Sequence, residues 1–328
     1  MPRHAHPFAL SRVSSMSGVH LWPRNEGFGA VTLRTDIRSA RRLSVVVVTT
    51  GAVLSAGALA VPAQAAAPKA PAIVAKGGYV MNNSTGQTLF TKAADTRRST
   101  GSTTKIMTIR VVLANKKLNL DAKVTVQKAY SDYIVKHNAS SAHLIVGDKP
   151  TVRQLLYGLM LPSGCDAAFA LADKFGTGST QAARVKSFIG TMNSTAKSLG
   201  LKNTHFDSFD GIGNGSNYST PRDLTKLASN AMKYSAFRAV VKTKSTKQKV
   251  TTKTGGYRYM SWTNTNLLLG SYAGTIGVKT GSGPQAGYCL VFAATRGKKT
   301  VIGTVLSATS EATRTSDAKK LMDYAFKK

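Results

Sequence analysis

The sequence predicts a mixed α/β protein of the α+β kind, with one antiparallel sheet flanked by helices and an all-helical segment inserted into it. Runs of β-branched and aromatic residues, separated by turn residues, occur near residues 78–91 and again within 275–306. Between these groups, apolar residues recur at intervals of three and four, the spacing of an amphipathic helix. We therefore assign about 70–110 and 236–328 to the sheet part and about 111–235 to the helical part.

The first 65 residues are predicted to be an N-terminal extension with an export signal, which leaves 66–328 as the folded chain. Four arginines from Arg34 to Arg42 precede an uncharged run of 26 residues that begins at Leu43. The run includes Ala63-Gln64-Ala65, the small residues that a signal peptidase requires. A retained membrane anchor is the alternative, because a run of that length could span a bilayer. We favour cleavage near Ala65, since the second half of the run consists mostly of small residues.

A hairpin, a three-stranded meander and a closing helix are predicted at the chain ends. The turn cluster Asn82–Gly86 joins the first two strands, and short connections at 281–287 and 296–300 join the last three. Residues 316–326 form a helix with its apolar residues on one face. The predicted strands are 78–81, 88–91, 275–278, 288–294 and 301–306.

Helices of the middle segment have recognisable start and stop signals. Thr151 can cap a helix that stops at Pro162, and a second helix begins near Asp166. In the segment Thr220–Asp223 the threonine can cap a third helix and the proline suits its first position. The aspartate of this segment can close a capping box.

The chain is strongly basic, with 45 Lys and Arg against 14 Asp and Glu and a formal charge of +31. Without residues 1–65 it has 38 basic and 12 acidic residues, or about +26. Such a chain is drawn to polyanions, and nucleic acid is a common partner of basic proteins. An exported protein instead meets anionic cell-wall polymers, so we expect these as partners and no nucleic acid. A generally solvated basic surface is the alternative.

Cysteine and histidine are too sparse to indicate a disulfide framework or a metal site. Cys165 and Cys289 are the only cysteines; a chain of this size can fold without a disulfide, and their redox state stays open. The histidines after residue 65 are His137, His143 and His205, and none has metal-ligand spacing. We expect no metal, no cofactor and a monomeric protein.

A serine and a lysine three residues apart stand at the start of a predicted helix. Ser102 and Lys105 would share one helix face, so an uncharged amine could accept the proton of the hydroxyl. The free N–H groups of the first turn favour negative charge nearby. The same spacing recurs at Ser194 and Lys197, so the pair alone is weak evidence.

Two further segments carry hydroxyl groups at breaks in the pattern. Ser163–Cys165 lies between two helices; such a loop is usually only a helix break, but its serine can also relay a proton. Lys279–Ser282 ends a β-rich run, and a cation with a hydroxyl suits a substrate carboxylate. Neighbouring residues of a regular strand point to opposite faces, which would separate the lysine from the threonine. The similar triplet Lys253–Gly255 is predicted to be a loop.

In this order, the three segments resemble the motifs of the penicillin-recognising serine enzymes. They are most similar to low-molecular-mass D-alanyl-D-alanine carboxypeptidases and DD-transpeptidases, over roughly residues 70–328, and among these to short actinobacterial DD-transpeptidases. The matching segments are Ser102–Thr108, Leu161–Gly164, Ser219–Leu224 and Lys279–Tyr288.

The resemblance implies a β-lactamase/transpeptidase-like fold and a serine-type D-alanyl-D-alanine carboxypeptidase or DD-transpeptidase. Its substrates would be peptidoglycan peptides that end in D-Ala-D-Ala, and β-lactam antibiotics would acylate it. By the same resemblance, Ser102 attacks the carbonyl between the two D-alanines and Lys105 takes its proton. Ser163 then passes a proton to the departing amine.

The resemblance further implies five substrate-binding residues: Cys165, Lys279, Thr280, Gly281 and Ser282. The lysine and threonine would hold the terminal carboxylate, and the lysine charge would help to keep the catalytic amine neutral. The backbone N–H groups of Ser282 and of the nucleophile would form the oxyanion hole. The substrate peptide would lie along the strand that carries these residues.

Two features depart from the family pattern. Cys165 stands where the family usually has asparagine. A thiol is a poorer hydrogen-bond partner than an amide, which puts positioning of the substrate by this group in doubt. A thiol in the cleft could also be open to alkylation. The sequence ends at Lys328, directly after the catalytic segment, without the further domain and membrane anchor of many relatives. We therefore expect a secreted, extracellular enzyme associated loosely with the cell envelope.

Two alternatives have distinct signatures in the sequence. A class A β-lactamase needs a glutamate to activate the deacylating water, and the only glutamate after residue 65 is Glu311, beyond the third motif. Fast β-lactam hydrolysis is therefore not expected. A basic envelope-binding protein with a decayed site is the non-catalytic alternative. The motifs leave open whether water or a second peptide's amine resolves the acyl-enzyme.

Overall fold

Both ends of the described chain contribute strands to one antiparallel sheet, as predicted. The structure is a computed structural model that describes residues 68–328, so the predicted leader and its cleavage site lie outside the described residues. Five strands form the main sheet, in the order β2-β1-β7-β6-β5, and β3 and β4 form a separate two-stranded ribbon. The strands are β1 (Gly77–Asn82), β2 (Thr88–Lys92), β3 (Ser245–Thr251), β4 (Tyr257–Thr263), β5 (Thr275–Gly283), β6 (Gly287–Arg296) and β7 (Lys299–Ala308).

Helices fill the segment between β2 and β3 and close the chain. A 3₁₀ turn at Gly101–Thr104 leads directly into α1. Within residues 68–328, every helix is too short or too polar to cross a bilayer. The helices are α1 (Lys105–Leu113), α2 (Lys128–His137), α3 (Val152–Met160), α4 (Cys165–Phe175), α5 (Gln181–Ser198), α6 (Pro221–Ala231), α7 (Ser235–Val241) and α8 (Glu311–Lys327).

The main sheet is buried on both faces, so its interior strand β6 is buried and apolar from Cys289 to Ala294. Leu290 and Phe292 pack in a cluster with Leu321 of α8. Val291, between them in the strand, belongs to the larger core that includes Ile106 of α1. Because alternate side chains of a strand point to opposite faces, the sheet forms a layer between α8 and the helical segment.

β5 is longer than predicted. We expected the strand to end at Val278 and residues 281–287 to form the connection. Instead Gly281 pairs with Cys289 and Ser282 pairs with Tyr288. A strand ladder requires backbone N–H and C=O groups rather than apolar side chains, so the Gly-Ser sequence does not end it.

The helix starts predicted for the middle segment are correct, but one capping box is not formed. The closing helix α8 begins at Glu311 rather than at the predicted residue 316, because Ser310 caps it. Thr151 and Gln154 make the reciprocal hydrogen bonds of a capping box at α3. At α6, Thr220 accepts a hydrogen bond from the backbone N–H of Asp223, as predicted. The carboxylate of Asp223 accepts instead from the backbone N–H of Asn203 and from a threonine hydroxyl beside it, so that half of the prediction was wrong.

The β3–β4 ribbon was not predicted. Its inner face includes polar residues such as Thr246 and Gln248, so the strand lacks the strict apolar alternation that signals a half-buried strand. The triplet Lys253–Gly255 lies in the turn between the two strands, outside regular structure, as predicted.

Asp173 of α4 joins three helices of the helical segment. Its carboxylate accepts hydrogen bonds from Tyr130 of α2 at 2.6 Å, and from Gln181 and Arg184 of α5 at 3.1 Å and 2.6 Å. Burial by itself would raise the pKa of Asp173, but these hydrogen bonds together hold the pKa below its ordinary value.

We expect Asp173→Asn to lower the free energy of unfolding by about 1–3 kcal/mol at pH 7, because it breaks charge-assisted hydrogen bonds. The native pKa is below the unfolded value of about 3.9, so the carboxylate's contribution is complete well above that pH and is lost as the pH falls through the native pKa. Urea unfolding between pH 7 and pH 3 measures this, with Asp121→Asn in an exposed ion pair as the control. A difference from wild type that stays constant down to pH 3 would contradict the prediction.

Candidate active site

A cleft of about 740 Å³ opens where the 3₁₀ turn, β5 and the start of α8 meet. Two of the predicted site residues, Lys105 and Lys279, are 0% and 1% exposed and lie beneath its surface. The structure therefore brings all eight predicted site residues to one place. The six that line the cleft are Ser102, Ser163, Cys165, Thr280, Gly281 and Ser282.

Ser102 and Lys105 are in direct contact. In a 3₁₀ turn, residues three apart lie directly above one another, and Lys105 Nζ donates to Ser102 Oγ at 2.9 Å. The amine also donates to the carbonyl oxygen of Asp210 at 3.2 Å and to Cys165 Sγ at 3.3 Å. These partners are a hydroxyl, a peptide carbonyl and a thiol.

Cys165 is a buried, protonated thiol at the start of α4. Burial raises the pKa of the Cys165 thiol and outweighs the opposing effect of the nearby Lys105. Its Sγ atom also lies 3.5 Å from Ser140 Oγ, at the edge of the cleft. A thiol that is only 1% exposed and protonated reacts slowly with alkylating agents. Its contacts include the Lys105 amine and the Ser140 hydroxyl.

Ser163 presents a hydroxyl to the cleft from a strained turn. Its φ of 65° lies in the left-handed region that favours glycine. Its carbonyl oxygen accepts a hydrogen bond from Ser140 Oγ at 2.6 Å, which holds the turn. Ser163 Oγ is buried and has no hydrogen-bond partner among the described residues, so it is available to a bound ligand.

Two glycines allow the backbone of β5 to approach the 3₁₀ turn. A Cβ atom on Gly281 would lie 2.7 Å from the carbonyl oxygen of Thr100 and 3.1 Å from the backbone nitrogen of Ser102. A Cβ atom on Gly101 would lie 3.1 Å from the backbone nitrogen of Ser282. Both contacts are with backbone, which cannot move aside as a flexible side chain can. Any side chain here would push the two halves of the site apart.

Lys279 donates a hydrogen bond to the carbonyl oxygen of Thr280 at 3.0 Å. Burial lowers the pKa of Lys279 well below its ordinary value, and the charges of Lys105 and Arg314 lower it further. The sequence led us to expect that Lys279 keeps the catalytic amine neutral; in the structure, Lys279 itself has the lowered pKa. The neighbouring Thr280 hydroxyl lies 2.6 Å from that of Thr265.

The sequence analysis missed a charged pair in the cleft. Arg314 of α8 is 3% exposed, and its Nε atom has no hydrogen-bond partner among the described residues. Its Nη2 atom lies 3.4 Å from Glu311 Oε2, and both side chains line the cleft. No local signal marks them, because it is the packing of α8 on the sheet that brings its first turn beside β5.

Buried aspartates hold the loops that form the cleft walls. Asp166 accepts hydrogen bonds from the backbone N–H groups of Ala142 at 2.8 Å and Leu144 at 3.1 Å. These bonds fix the loop that carries Ser140. Asp210, whose carbonyl oxygen accepts from the Lys105 amine, accepts a hydrogen bond from Tyr133 at 2.9 Å through its carboxylate. The sequence contained both residues but no pattern that assigned them these positions.

Comparison with known proteins gives a consistent set of relatives. A family described as D-alanyl-D-alanine carboxypeptidase matches residues 64–310. The chain is 71% identical over 287 residues to a D-alanyl-D-alanine carboxypeptidase of Streptomyces sp. strain K15, covering 87% of this chain and 98% of that protein. It is 32% identical to D-alanyl-D-alanine carboxypeptidase DacF of Bacillus subtilis, over 77% of this chain, and spans 62% of that protein's length.

Solved structures agree with these relatives. The crystal structure of the Streptomyces DD-transpeptidase of the same strain has a TM-score of 0.78 and 75% sequence identity, covering 79% of this chain and 99% of that one. D-alanyl-D-alanine carboxypeptidase DacD from Francisella tularensis gives a TM-score of 0.69 at 28% identity, covering 79% of this chain and 72% of that one. The fold is therefore that of the β-lactamase/transpeptidase group, as the resemblance implied.

Replacing Lys279 with methionine is expected to stabilise the protein, and most strongly below pH 10. The native pKa of Lys279 lies well below the ordinary value of 10.5. At a pH between these two pKa values, the unfolded chain binds more protons than the native one, so wild-type stability rises with pH. Lys279→Met removes this dependence, with a gain of about 1–3 kcal/mol at pH 7 that shrinks towards pH 10. Thermal unfolding measured across this pH range checks the prediction, with the exposed Lys226→Met as control. A change of equal size at both pH values would contradict it.

Proposed function

Because the chain belongs to the D-alanyl-D-alanine carboxypeptidase family, we propose the residues through which it works. The protein is a serine-type D-alanyl-D-alanine carboxypeptidase/DD-transpeptidase that acts on peptidoglycan. We assign the nucleophile to Ser102 and the general base to Lys105. The 2.9 Å contact between Lys105 Nζ and Ser102 Oγ, on the floor of the cleft, carries this assignment.

In the first step, Ser102 Oγ attacks the carbonyl carbon between the last two D-alanines of the substrate. Lys105, as a neutral amine, accepts the hydroxyl proton while the new C–O bond forms. All three hydrogen-bond partners of the amine are uncharged groups, so no carboxylate among them holds the proton on the nitrogen. This environment supports the base role.

Collapse of the tetrahedral intermediate requires a held oxyanion and a protonated leaving group. We assign the oxyanion to the backbone N–H groups of Ser102 and Ser282, in the segments where the 3₁₀ turn and β5 nearly touch. We assign delivery of the proton to Ser163, whose buried hydroxyl is unpartnered and faces the cleft. As Ser163 protonates the departing amine, it takes up the proton that Lys105 accepted, so the lysine is a neutral amine again. The C–N bond breaks, D-alanine leaves as the amine, and the peptide remains as an ester on the serine.

The ester is then resolved by attack of water or of a second peptide's amine on its carbonyl carbon. Attack by water releases a shortened peptide, and attack by an amine forms a new cross-link. In both cases Lys105 accepts a proton from the attacking group, and the serine alkoxide regains its proton as the C–O bond breaks.

We propose that the terminal carboxylate of the substrate binds to Thr280 and Arg314 at the end of the cleft beside α8. Arg314 has an unpartnered, buried Nε atom there, and a guanidinium matches a carboxylate well. Lys279 lies beneath this region, and an arriving carboxylate would favour its charged form. Gly281 and Ser282 would meet the peptide backbone along β5.

Cys165 serves as a neutral partner of the catalytic amine in this proposal. Asparagine at this position in other family members can bind a substrate amide with both its oxygen and its nitrogen, whereas a thiol cannot. With its Sγ atom 3.3 Å from Lys105, the thiol fills the space beside the amine. Positioning of the substrate amide then falls to the backbone of β5.

The same site is proposed to be acylated by β-lactam antibiotics, whose strained amide would occupy the place of the D-Ala-D-Ala bond. Slow hydrolysis of that acyl-enzyme is expected rather than β-lactamase turnover. Glu311 does line the cleft, but its carboxylate is paired with Arg314 at the carboxylate-binding end. We further propose that the protein is exported after cleavage near Ala65 and acts as a monomer at the cell envelope.

Replacing the nucleophile should abolish covalent chemistry and leave the fold intact. We expect Ser102→Ala to show no covalent labelling by a fluorescent penicillin and to release D-alanine from diacetyl-Lys-D-Ala-D-Ala at least ~10³-fold more slowly. The matched control is Ser194→Ala, because Ser194 and Lys197 repeat the same spacing on the exposed side of α5. Covalent labelling of the Ser102 variant at the wild-type rate would refute the nucleophile assignment.

Removing the charge of Glu311 should tighten binding of the substrate. A substrate carboxylate must compete with Glu311 for Arg314, so Glu311→Gln is expected to lower KM up to about 5-fold without changing kcat, the equivalent of ~1 kcal/mol for a partly exposed ion pair. Asp323→Asn, which removes another ion-paired acid of α8, is the control. An unchanged or higher KM would show that Glu311 does not occupy the carboxylate site.

A further inference from the structure

One face of the β3–β4 ribbon displays tyrosines and lysines to solvent. Lys249 of β3 pairs with Tyr259 of β4. Lys247 is two residues before Lys249 in β3, so its side chain lies on the same face of the ribbon. The rings of Tyr257 and Tyr259 are 58% and 55% exposed and contact each other edge to face, with centroids 5.7 Å apart. Large exposed aromatic groups of this kind indicate a binding surface. We call these four residues the ribbon face.

The ribbon face is cationic and has no acidic residue of its own. Residues 242–263 contain six lysines and arginines and no aspartate or glutamate. Lys249 Nζ lies 3.8 Å from the ring centroid of Tyr257, and Lys247 Nζ lies 4.6 Å from that of Tyr259. A cation held over a ring keeps its position and can still donate hydrogen bonds to a ligand. The charge of this surface is complementary to an anionic chain.

The opposite face of the ribbon is anchored to the body of the protein. Val250 and Trp262 are buried, and the indole N–H of Trp262 donates to the carbonyl oxygen of Ala142 at 2.8 Å. Arg258 forms a 2.7 Å ion pair with the buried Asp148. The ribbon is therefore a fixed support for the exposed rings rather than a loose arm.

The ribbon leads directly into the active-site cleft. Thr265, two residues after β4 ends, lines the cleft and contacts the Thr280 hydroxyl. Six residues of extended chain separate Thr265 from Tyr259, a distance of at most about 20 Å. A polymer whose peptide occupies the cleft could therefore reach the ribbon face with the rest of its chain.

We propose that the ribbon face binds the glycan strand of un-cross-linked peptidoglycan while one of its stem peptides occupies the cleft. The tyrosine rings would pack against the C–H faces of the sugar rings. The lysines would pair with free carboxylates of neighbouring stem peptides. This inference rests on the proposed function, since it concerns the polymer that carries the substrate peptide.

The test compares a polymeric with a small substrate in three variants of the whole protein. Tyr257→Ala/Tyr259→Ala and Lys247→Gln/Lys249→Gln each remove half of the ribbon face. The control is Lys116→Gln/Lys117→Gln, an exposed lysine pair elsewhere with the same change in charge. For soluble, un-cross-linked peptidoglycan strands free of other wall polymers, we expect each ribbon variant to raise KM about 10-fold and the control to have no effect. D-alanine release from diacetyl-Lys-D-Ala-D-Ala should stay at the wild-type rate in all three.

The outcomes separate this inference from the proposed function. If the ribbon and control lysine variants raise KM for the peptidoglycan strands equally, general charge attraction explains the binding and this inference is overturned. Loss of activity on the small substrate in parallel with the polymer would show that the ribbon only supports the fold. The wild-type protein could instead bind polyglycerol phosphate or phosphatidylglycerol vesicles and fail to bind the peptidoglycan strands. That result would assign the surface to another polyanion and overturn the inference. A wild-type protein inactive on the small substrate would instead refute the proposed function.

Discussion

The active site depends on the close approach of β5 to the 3₁₀ turn. Gly101 and Gly281 stand at this contact, and a Cβ atom on either would lie within about 3 Å of the opposing backbone. The contact places the 3₁₀ turn that carries the proposed nucleophile against the strand that we propose to bind the substrate, although the two segments are far apart in the sequence. Sheet pairing holds the strand in place, since β5 continues its ladder with β6 through Ser282. The geometry of the site is therefore fixed by backbone, and the side chains act within it.

A second constraint is electrostatic, because the fold buries three basic side chains around the cleft. Lys105, Lys279 and Arg314 are each at most 3% exposed. Within residues 68–328, only Arg314 of these three has a carboxylate within ion-pair distance. Burying cations without counter-ions costs stability, and the lowered pKa of Lys279 is one expression of that cost. In the proposed complex, the carboxylate of a substrate would supply the missing negative charge. Functional sites commonly carry such a cost in stability.

The sequence predicted those parts of the structure that short segments determine. Helix caps such as Thr151 and Thr220 and the Ser102–Lys105 pair depend on residues three apart, and all were found where expected. Arg314 and Glu311 reach the cleft only because α8 packs across the sheet, which no local pattern records. The lowered pKa of Lys279 likewise arises from burial by distant elements, and spacing cannot reveal it.

Burial deepens the shortage of acids on the surface, because only 12 acidic residues stand against 38 basic ones after residue 65. Of the 12 acidic residues after residue 65, half are buried: Asp148, Asp166, Asp173, Asp210, Asp223 and Asp317. Most of these accept hydrogen bonds from backbone N–H groups of other segments, as Asp317 does from Ala75 at 2.7 Å and Asp166 from Ala142. A carboxylate can accept several such hydrogen bonds. A buried aspartate therefore satisfies backbone N–H groups of a loop that lacks the hydrogen bonds of a helix or a sheet. Because these carboxylates are used inside, the lysines and arginines outside remain largely uncompensated. The basic surface, including the ribbon face, is therefore linked to the way in which the loops around the cleft are held.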